Sequence, residues 1–480
     1  MKRALSNASW LLLGYVGRIG SQLLGISIIA RLLTRSDFGV VAIAMVVSNL
    51  AGLLRDLGTG PAAIRSRDTS AKFYGGIYTI QLAISITLAV IICLVAPILA
   101  HFYHTESLSR VLIILAMVFP ITAMGSVHLI TLEKAERYQV ISFIEFGSYV
   151  LGLAAAVAFA KLGFGVESLA YQAVVNAVVQ TFLLRWITGI VIKHAHPKHA
   201  KSAAGGSAAL TSYQLCNYVI RNSDTGIAGR VATTDFIGSY SMATRISQIP
   251  AQAIGMLLSR VSIPMLSKTG QDKKTLAKEI ARLVEIAVLL SAGCCLILVA
   301  LRTLITGILF GPQWVDVVPS QLVYLLPAAA LISVSTVLIG VIIALGATTR
   351  LTRIGILGAS THIIILVVCL SIRSQLLPLA IYLSSVASIL IVSIELRLML
   401  LKQGVLMPRI RVAIPVITIV IYPFIQRLLS NLHNRPGRST VGEISEAAFF
   451  TIALLLLGAL QYHRWKAQSL YNQMKSGKTL

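Results

Sequence analysis

Six polar residues that lie within long apolar segments are the first candidates for chemistry in this sequence. A charged side chain in such a segment is costly in free energy, so each one is a candidate functional residue. Arginine presents a planar, permanently charged fork that matches phosphate oxygens, and asparagine amides can bind hydroxyl groups. The six predicted site residues are Arg18, Asn217, Arg221, Asn222, Asp224 and Arg245.

The spacing of these residues leaves two interpretations open for each charge. Asn217, Arg221 and Asp224 are separated by four and three residues, which predicts one shared helix face, but Arg221 and Asp224 could also form a neutralising pair. Arg18 lies midway along its apolar segment, where the alternative is pairing with a carboxylate or with carbonyl groups at a helix end. Arg245 lies nearer one end of its segment, so its side chain could instead extend to the membrane surface.

Uncharged polar residues within apolar segments could bind hydroxyl groups or join neighbouring helices: Gln22, Tyr149, Gln172, Asn176 and Gln180. The histidine-rich run at 194–199 has no acidic or cysteine partner nearby, so no metal site is predicted there. The sequence contains no phosphate-binding loop pattern, and no cofactor is predicted.

Transmembrane helices are the elements that must position these residues. Of 480 residues, 56% are hydrophobic and 12% are charged, whereas soluble domains have about a quarter charged residues. A spanning helix needs about 20 mostly apolar residues. The sequence predicts an all-α membrane protein with about fourteen transmembrane helices: 9–32, 38–57, 76–100, 111–131, 140–160, 168–191, 208–230, 236–260, 279–301, 319–346, 351–372, 376–396, 412–430 and 446–463.

The formal charge of +24 is distributed unevenly between the two sides of this predicted topology. With the N-terminus in the cytoplasm, 28 of the 41 Lys and Arg residues fall on the inner side and 10 on the outer side. Cytoplasmic loops of membrane proteins carry this excess of positive charge. The distribution predicts that both termini are cytoplasmic, and it accounts for the charge without a nucleic-acid partner.

A short internal repeat divides the predicted helices into two halves. Residues 30–39 read ARLLTRSDFG and residues 229–238 read GRVATTDFIG, with 198 residues between the two aspartates. In each copy an apolar helix ends in Arg, and Asp-Phe opens the next helix, where Asp favours a helix start. The repeat predicts a six-helix lobe over 1–200, a second over 201–405, and two additional helices with a cytoplasmic tail over 406–480.

Several motifs, spread from about residue 10 to residue 350, resemble bacterial Wzx-type polysaccharide repeat-unit flippases of the multidrug/oligosaccharidyl-lipid/polysaccharide exporter superfamily. Their order and spacing carry the resemblance more than any single motif does. Beyond residue 400 only the hydropathy matches. The matching segments are GRIGSQ at 17–22, ARLL at 30–33, DFG at 37–39, DLGTG at 56–60, LEKAERY at 132–138, GSYSMA at 238–243, Ile249-Pro250, Ser259-Arg260 with Pro264, and FGPQW at 310–314.

This resemblance implies two six-helix lobes around a central cavity in the bacterial inner membrane. It implies that an oligosaccharide on an undecaprenyl pyrophosphate carrier crosses from the cytoplasmic to the periplasmic leaflet, with polymerase and export machinery as further partners. Coupling to an ion or proton gradient is also expected. Asp224 and Glu145 are the candidate coupling residues, although Glu145 could simply lie near the cytoplasmic end of its helix.

Three other functions stay open at this point. An organic-cation antiporter of the same superfamily should favour carboxylates in its cavity, whereas the apolar segments hold three arginines against Asp224. A polyprenyl-sugar-dependent glycosyltransferase should carry a tight acidic cluster on a large outer loop, and none is visible here. A structural subunit of an export complex is the third alternative. The sequence therefore predicts a non-enzymatic flippase.

Overall fold

A computed structural model describes most of the chain between residues 20 and 402. The gaps within that range are 21, 57–62, 64–65, 67, 69, 193, 197, 199–207, 269–272 and 346–347. Arg18 and the two predicted helices at 412–430 and 446–463 lie outside the described residues.

Thirteen helices with defined bounds follow one another in the described chain, and no strand occurs there. Residues 22–29 are helical as well. The thirteen are α1 (Arg35–Asp56), α2 (Ala71–Phe102), α3 (Ser107–Ala116), α4 (Val118–Lys134), α5 (Tyr138–Lys161), α6 (Glu167–Thr188), α7 (Ala208–Val231), α8 (Thr234–Lys268), α9 (Lys273–Ala300), α10 (Arg302–Phe310), α11 (Val318–Ala344), α12 (Thr348–Ile372) and α13 (Leu377–Lys402).

Eight helical segments of the described chain are long and apolar enough to cross a membrane. They correspond to α1, α2, α3 with α4, α5, α9, α11, α12 and α13. The all-α membrane fold is thereby confirmed, while fourteen helices stays a prediction. Helices α6, α7 and α8 fall on predicted spans but do not meet the same measure of length and hydropathy, which fits the polar residues that they carry.

The predicted span at 111–131 lies within one segment long and apolar enough to cross a membrane, Ser107–Lys134, which is interrupted at Met117. Helix α3 ends at Ala116 and α4 begins at Val118, with Met117 between them. Pro120 in the first turn of α4 has no backbone N–H, and its ring would clash with a helical carbonyl four residues earlier, at Ala116. Hydropathy is continuous across this point, so the sequence pattern alone does not reveal the break.

The described chain forms two compact units. The first comprises the residues up to Met242 together with Ile308–Trp314 and Leu366–Leu377. The second comprises Ala243–Gly307, Val315–Ile365 and the residues that follow from Pro378. The predicted lobe boundaries near residues 200 and 405 stay a prediction.

The two copies of the internal repeat open their helices with a threonine cap, and the first copy adds an aspartate to it. In the first copy, Asp37 Oδ2 accepts hydrogen bonds from the Thr34 backbone N–H (2.9 Å) and the Thr34 hydroxyl (2.7 Å). The Thr34 hydroxyl accepts in turn from the Asp37 N–H at 3.3 Å, which makes a reciprocal capping box. In the second copy, Thr233 Oγ1 accepts from the Phe236 N–H. Threonine therefore caps both α1 and α8, and the predicted role of aspartate at the helix start holds for Asp37, which completes the box in α1.

Both copies lie against each other within the first unit. The hydroxyl oxygens of Ser36 in the first copy and Thr234 in the second are 2.7 Å apart. A Cβ atom on Gly39 would collide with the Thr234 carbonyl, and one on Gly238 would collide with the Arg35 carbonyl. Two glycines therefore permit the backbones of α1 and α8 to approach closely where these helices begin.

We expect Gly39→Ala and Gly238→Ala each to destabilise the protein by at least about 1–3 kcal/mol, because the added methyl meets backbone that cannot rotate away. Thermal unfolding of the purified protein in detergent measures the effect. Gly147→Ala in α5 is the matched control: its Cβ meets nothing within 4 Å, so it should be neutral or stabilising. Equal melting temperatures for all three variants would contradict the close packing.

Candidate functional site

Helix α7 carries an exposed arginine in its middle. Arg221 lies thirteen residues after the first residue of α7 and ten before its last, which is about 20 Å and 15 Å along the axis at 1.5 Å per residue. The Arg221 side chain is exposed, and its Nε donates to Asn217 Oδ1 at 3.4 Å. The predicted alignment of Asn217 with Arg221 is confirmed.

Hydrogen bonds hold α7 against α1 beside this arginine. Asn49 Nδ2 donates to Asn222 Oδ1 at 3.1 Å, and Asn222 Nδ2 donates to the Tyr218 carbonyl at 2.9 Å. The Tyr218 hydroxyl donates to the Val46 carbonyl at 2.7 Å. We call Asn49, Asn217, Arg221 and Asn222 the α7 polar face. The sequence analysis predicted Asn217, Arg221 and Asn222 as site residues, and the structure adds Asn49 from α1.

The α7 polar face requires an aqueous environment. Exposed positions in the middle of other helices carry large apolar side chains, such as Leu94 in α2 and Leu151 in α5, which suit lipid. A guanidinium in hydrocarbon would cost several kcal/mol, so exposed charged residues within a membrane generally face a water-filled cavity. Arg221 and its amide neighbours can there donate hydrogen bonds to an anionic or hydroxyl-bearing ligand.

Asp224 does not belong to the α7 polar face. Its side chain is buried, with Oδ2 accepting a 2.5 Å hydrogen bond from the Tyr240 hydroxyl and Oδ1 accepting from the Thr225 N–H at 2.6 Å. Tyr240 of α8 is itself only 1% exposed. The neutralising pair with Arg221 that the spacing also allowed is not formed, because the two side chains have different surroundings: one is exposed and the other is bound between α7 and α8.

Several other predicted residues lie on other helices of the described chain. Arg245 is exposed on the part of α8 that belongs to the second unit. Glu145 is half-buried in the second turn of α5. Gln172 and Asn176 lie where α5 and α6 pack closely, because a Cβ on Gly152 would stand 3.0 Å from the Gln172 carbonyl oxygen and 3.2 Å from Asn176 Cβ. That position favours the alternative of helix–helix packing for both amides.

The segment 308–314 binds the first repeat copy, a contact that sequence reasoning missed. Trp314 Nε1 donates to the Ala30 carbonyl at 3.0 Å, and Arg31 donates to the Ile308 carbonyl at 3.0 Å. The Trp314 ring is fully buried, with its centroid 5.4 Å from that of Phe38 in an edge-on arrangement. An aromatic residue near a helix end is typical of the membrane–water interface, but this ring packs within the protein.

The second repeat copy makes a corresponding contact with the end of α2. The Tyr103 hydroxyl donates to the Gly226 carbonyl at 3.0 Å, and the Arg230 guanidinium lies 5.4 Å from the centre of the Phe102 ring. Each copy of the repeat is therefore held by a segment from the opposite half of the sequence. The quoted motif FGPQW contains part of this contact, and its buried tryptophan is the signal that could have revealed it.

Glu395 in the second unit is another residue that the sequence analysis did not single out. It is 4% exposed, and its two carboxylate oxygens bind Arg350 and Arg353 of α12, each at 3.2 Å. The sequence feature that could have identified Glu395 is the one used for Asp224: a charged residue inside a predicted span. Because both oxygens are bound by arginines one turn apart on α12, Glu395 joins α12 to α13.

Comparison with known proteins places the chain in a family. The family model described as "Polysaccharide biosynthesis protein" matches residues 28–319. The lipopolysaccharide biosynthesis protein WzxC of Escherichia coli is 21% identical over 66% of this chain and 65% of its own length. The teichuronic acid biosynthesis protein TuaB of Bacillus subtilis is 25% identical over 66% of both chains.

A third relative, the succinoglycan biosynthesis transport protein ExoT of Rhizobium meliloti, is 23% identical over 65% of this chain and 64% of its own length. The matched region thus spans just under two thirds of each of these three relatives.

Two solved structures share the fold. The lipid II flippase MurJ in an inward closed conformation superimposes with a TM-score of 0.67 at 12% identity, covering 94% of this chain and 99% of its own. An inward-facing multidrug resistance transporter of the MATE family gives a TM-score of 0.57 at 13% identity, covering 80% and 95%. At such identities the likeness concerns the fold alone.

We expect Asp224→Ala to lower the free energy of unfolding by about 1–3 kcal/mol, because the buried Tyr240 hydroxyl would lose its acceptor. Asp224→Asn keeps an oxygen acceptor and should cost less. Thermal unfolding in detergent distinguishes the two, with Asn217→Ala as a control at a half-buried position of the same helix. An Asp224→Ala variant as stable as the wild type would show that the hydrogen bond to Tyr240 contributes little.

Proposed function

The chain belongs to the polysaccharide biosynthesis protein family, and we propose that it flips lipid-linked oligosaccharides across the bacterial inner membrane. The substrate is a repeat unit on an undecaprenyl pyrophosphate carrier, which moves from the cytoplasmic to the periplasmic leaflet. The chain is a multi-pass transporter, not an enzyme, and both of its termini are cytoplasmic. Polymerase and export machinery act on the product after it has crossed.

The single observation that carries this proposal is the exposed Arg221 amid amides in the middle of α7. A pyrophosphate-linked sugar has negative charge and many hydroxyl groups, and it is excluded from hydrocarbon by the cost of desolvation. Guanidinium donors suit its phosphate oxygens, and Asn49, Asn217 and Asn222 suit its hydroxyls. Arg18 and Arg245, which also lie in predicted spans, are further candidate substrate contacts.

The polyprenyl tail imposes no polar requirement on the protein. It can stay in the lipid while the head group crosses, so only the head needs a water-filled path. An organic cation would instead be repelled by Arg221, which distinguishes this proposal from a drug antiporter with the same fold. A glycosyltransferase would extend or transfer the sugar, so its loss would change the length of the lipid-linked sugar and not the membrane face on which it accumulates.

Passage of the head group requires that the contact between the repeat copies opens during each cycle. Ser36 and Thr234 meet on the side that the charge distribution predicts to be periplasmic. While they touch, that side has no opening between α1 and α8. Opening must break this contact between helix starts and rebuild it afterwards.

Asp224 and Glu145 are the proposed coupling residues. A buried carboxylate that shares a hydrogen bond with Tyr240 could bind a proton or ion as α7 and α8 move apart. Asp224→Asn is the informative variant, because it preserves an acceptor but cannot ionise. Loss of export in a stable Asp224→Asn protein would support coupling at Asp224. Full export would show that Asp224 is not the coupling residue, and Glu145→Gln would be the next variant to test.

Deletion of the gene should cause undecaprenyl pyrophosphate oligosaccharides to accumulate on the cytoplasmic face, with loss of surface polymer. Lipid extraction and labelling of the accessible face measure this. Normal lipid-linked pools, or carriers truncated by one sugar, would contradict flipping and favour a transferase.

In the deletion strain, Arg221→Ala should restore less than about a tenth of surface polymer, because loss of a charged hydrogen bond of about 1.5–3 kcal/mol weakens binding tenfold or more. Arg221→Lys should restore export partly, since it keeps the charge but loses the planar fork. Arg397→Ala, an exposed arginine on α13, is the matched control and should export normally. Full export by Arg221→Ala with normal protein levels would assign Arg221 a structural role.

A disulfide between Ser36→Cys and Thr234→Cys should stop export, because it fixes the contact that must open. The 2.7 Å separation of the two hydroxyl oxygens makes a bridge geometrically reasonable. The experiment requires a background in which the five native cysteines are replaced. Export should return on reduction, and each single cysteine variant should export normally. Full export by completely cross-linked protein would contradict opening at this contact.

A further inference from the structure

A cavity of about 420 Å³ lies in the first unit at one end of α3 and α6, away from the α7 polar face. It is lined by Arg110, Ile113, Ile114, Gly163, Phe164, Glu167 and Tyr171. Its volume falls within the range of about 300–1,000 Å³ that is typical of small-molecule sites. The charge distribution places Arg110 and Lys161 in outer loops, so this end of the helices is predicted to face the periplasm.

Aromatic rings form one wall of the cavity. Tyr171 lies 4.8 Å from Phe159 and 5.9 Å from Phe164 between ring centroids, and the Phe164 ring is perpendicular to that of Tyr171. Phe159 and Phe164 meet edge-on at 5.4 Å. The three rings contact one another, so the Phe164 and Tyr171 side chains that line the cavity are held in place before a ligand binds.

The turn between α5 and α6 sets the shape of the rim. Gly163 and Gly165 have positive φ angles of 86° and 54°, a conformation that side chains rarely allow. The Phe164 N–H donates to the Phe159 carbonyl at 3.1 Å, and the Glu167 N–H donates to the Phe164 carbonyl at 3.2 Å. These bonds fix the turn that carries Phe164 and Glu167 into the lining of the cavity.

A single ion pair supplies the charged groups of the cavity. Arg110 Nη1 lies 3.1 Å from Glu167 Oε1, with the Arg110 side chain 71% exposed and that of Glu167 14% exposed. The pair leaves the cavity close to neutral. The lining combines guanidinium donors and carboxylate acceptors with the aromatic side chains of Phe164 and Tyr171, which is a set that can satisfy both the hydroxyl groups and the apolar C–H bonds of one ligand.

We propose that this cavity is a carbohydrate-binding site, separate from the transport route, that takes one or two neutral sugar units on the periplasmic side. A sugar ring presents C–H bonds on its face and hydroxyls around its edge, so it matches Phe164 and Tyr171 by stacking and Arg110 and Glu167 by hydrogen bonds. A phosphate would be repelled by Glu167, and an acyl chain would leave the ion pair unsolvated. The sidedness of the site rests on the proposed topology, but sugar binding does not depend on flipping.

The test is saturation-transfer NMR on the full-length protein in nanodiscs. The probe is surface polysaccharide purified from the strain that carries this gene and hydrolysed to soluble oligosaccharides. Saturation should pass from the protein to the sugar protons. Glu167→Gln and Tyr171→Ala should each weaken binding about tenfold, as expected for a charged hydrogen bond or a stacked ring. Arg373→Ala, another exposed arginine of the first unit, should bind normally.

Tyr171→Phe is the control for misfolding, because it keeps the ring that contacts Phe159. It should retain most of the binding, whereas Tyr171→Ala should lose it. Absence of saturation transfer with the wild type, or equal transfer with every variant, would overturn the proposal. Displacement of the sugar by inorganic phosphate would also overturn it, by identifying an anion site.

Export in the deletion strain separates this inference from the proposed function. Glu167→Gln should still clear lipid-linked oligosaccharide from the cytoplasmic face, because the cavity lies off the transport route. If the wild-type protein flips its substrate but does not bind the oligosaccharides, only the cavity proposal fails. If it binds them but the deletion strain shows normal lipid-linked pools, only the flippase proposal fails.

Discussion

The close approach of α1 and α8 at their first turns is the contact on which the arrangement of the first unit depends. Gly39 and Gly238 let two backbones meet where any side chain would collide, and Ser36 and Thr234 satisfy each other's hydroxyls there. Small residues at helix contacts are the main means of close packing within a membrane, because lipid supplies no hydrophobic force between helices. Helix α7 precedes α8 directly, so this contact also positions Arg221 and the amides around it.

The neighbouring contacts reinforce the same region from two directions. Segment 308–314 binds Ala30 and Arg31, while Phe102 and Tyr103 at the end of α2 bind residues 226–230. The first set reaches carbonyl groups at the ends of helices, which otherwise lack partners. Asp224 and Tyr240 add a buried hydrogen bond between α7 and α8. A change in the contact between the repeat copies would therefore move α7, which carries the proposed substrate contacts.

Much of the helical order could be predicted from the sequence, because the need for long apolar segments in lipid leaves a strong signal. The capping box was also predictable, because Thr34 and Asp37 have the three-residue spacing that such a box requires at a helix start. The different environments of Arg221 and Asp224 were not, since helical spacing gives a face but not what lies opposite it. The buried Trp314 depends on contacts nearly 300 residues apart in the chain, and hydropathy contains no information about such pairs.

Gly39 and Gly238 occupy the same position in the two copies of the repeat, and so do Arg35 and Thr234. The close approach is therefore one contact made twice: Gly39 lies against the Thr234 carbonyl, and Gly238 lies against the Arg35 carbonyl. Such reciprocity is the pattern of an isologous interface, here between two segments of one polypeptide. Because the two segments need not be identical, each can carry different side chains around the shared backbone contact: Asp37 completes a capping box in the first copy, whereas Phe236 takes that position in the second.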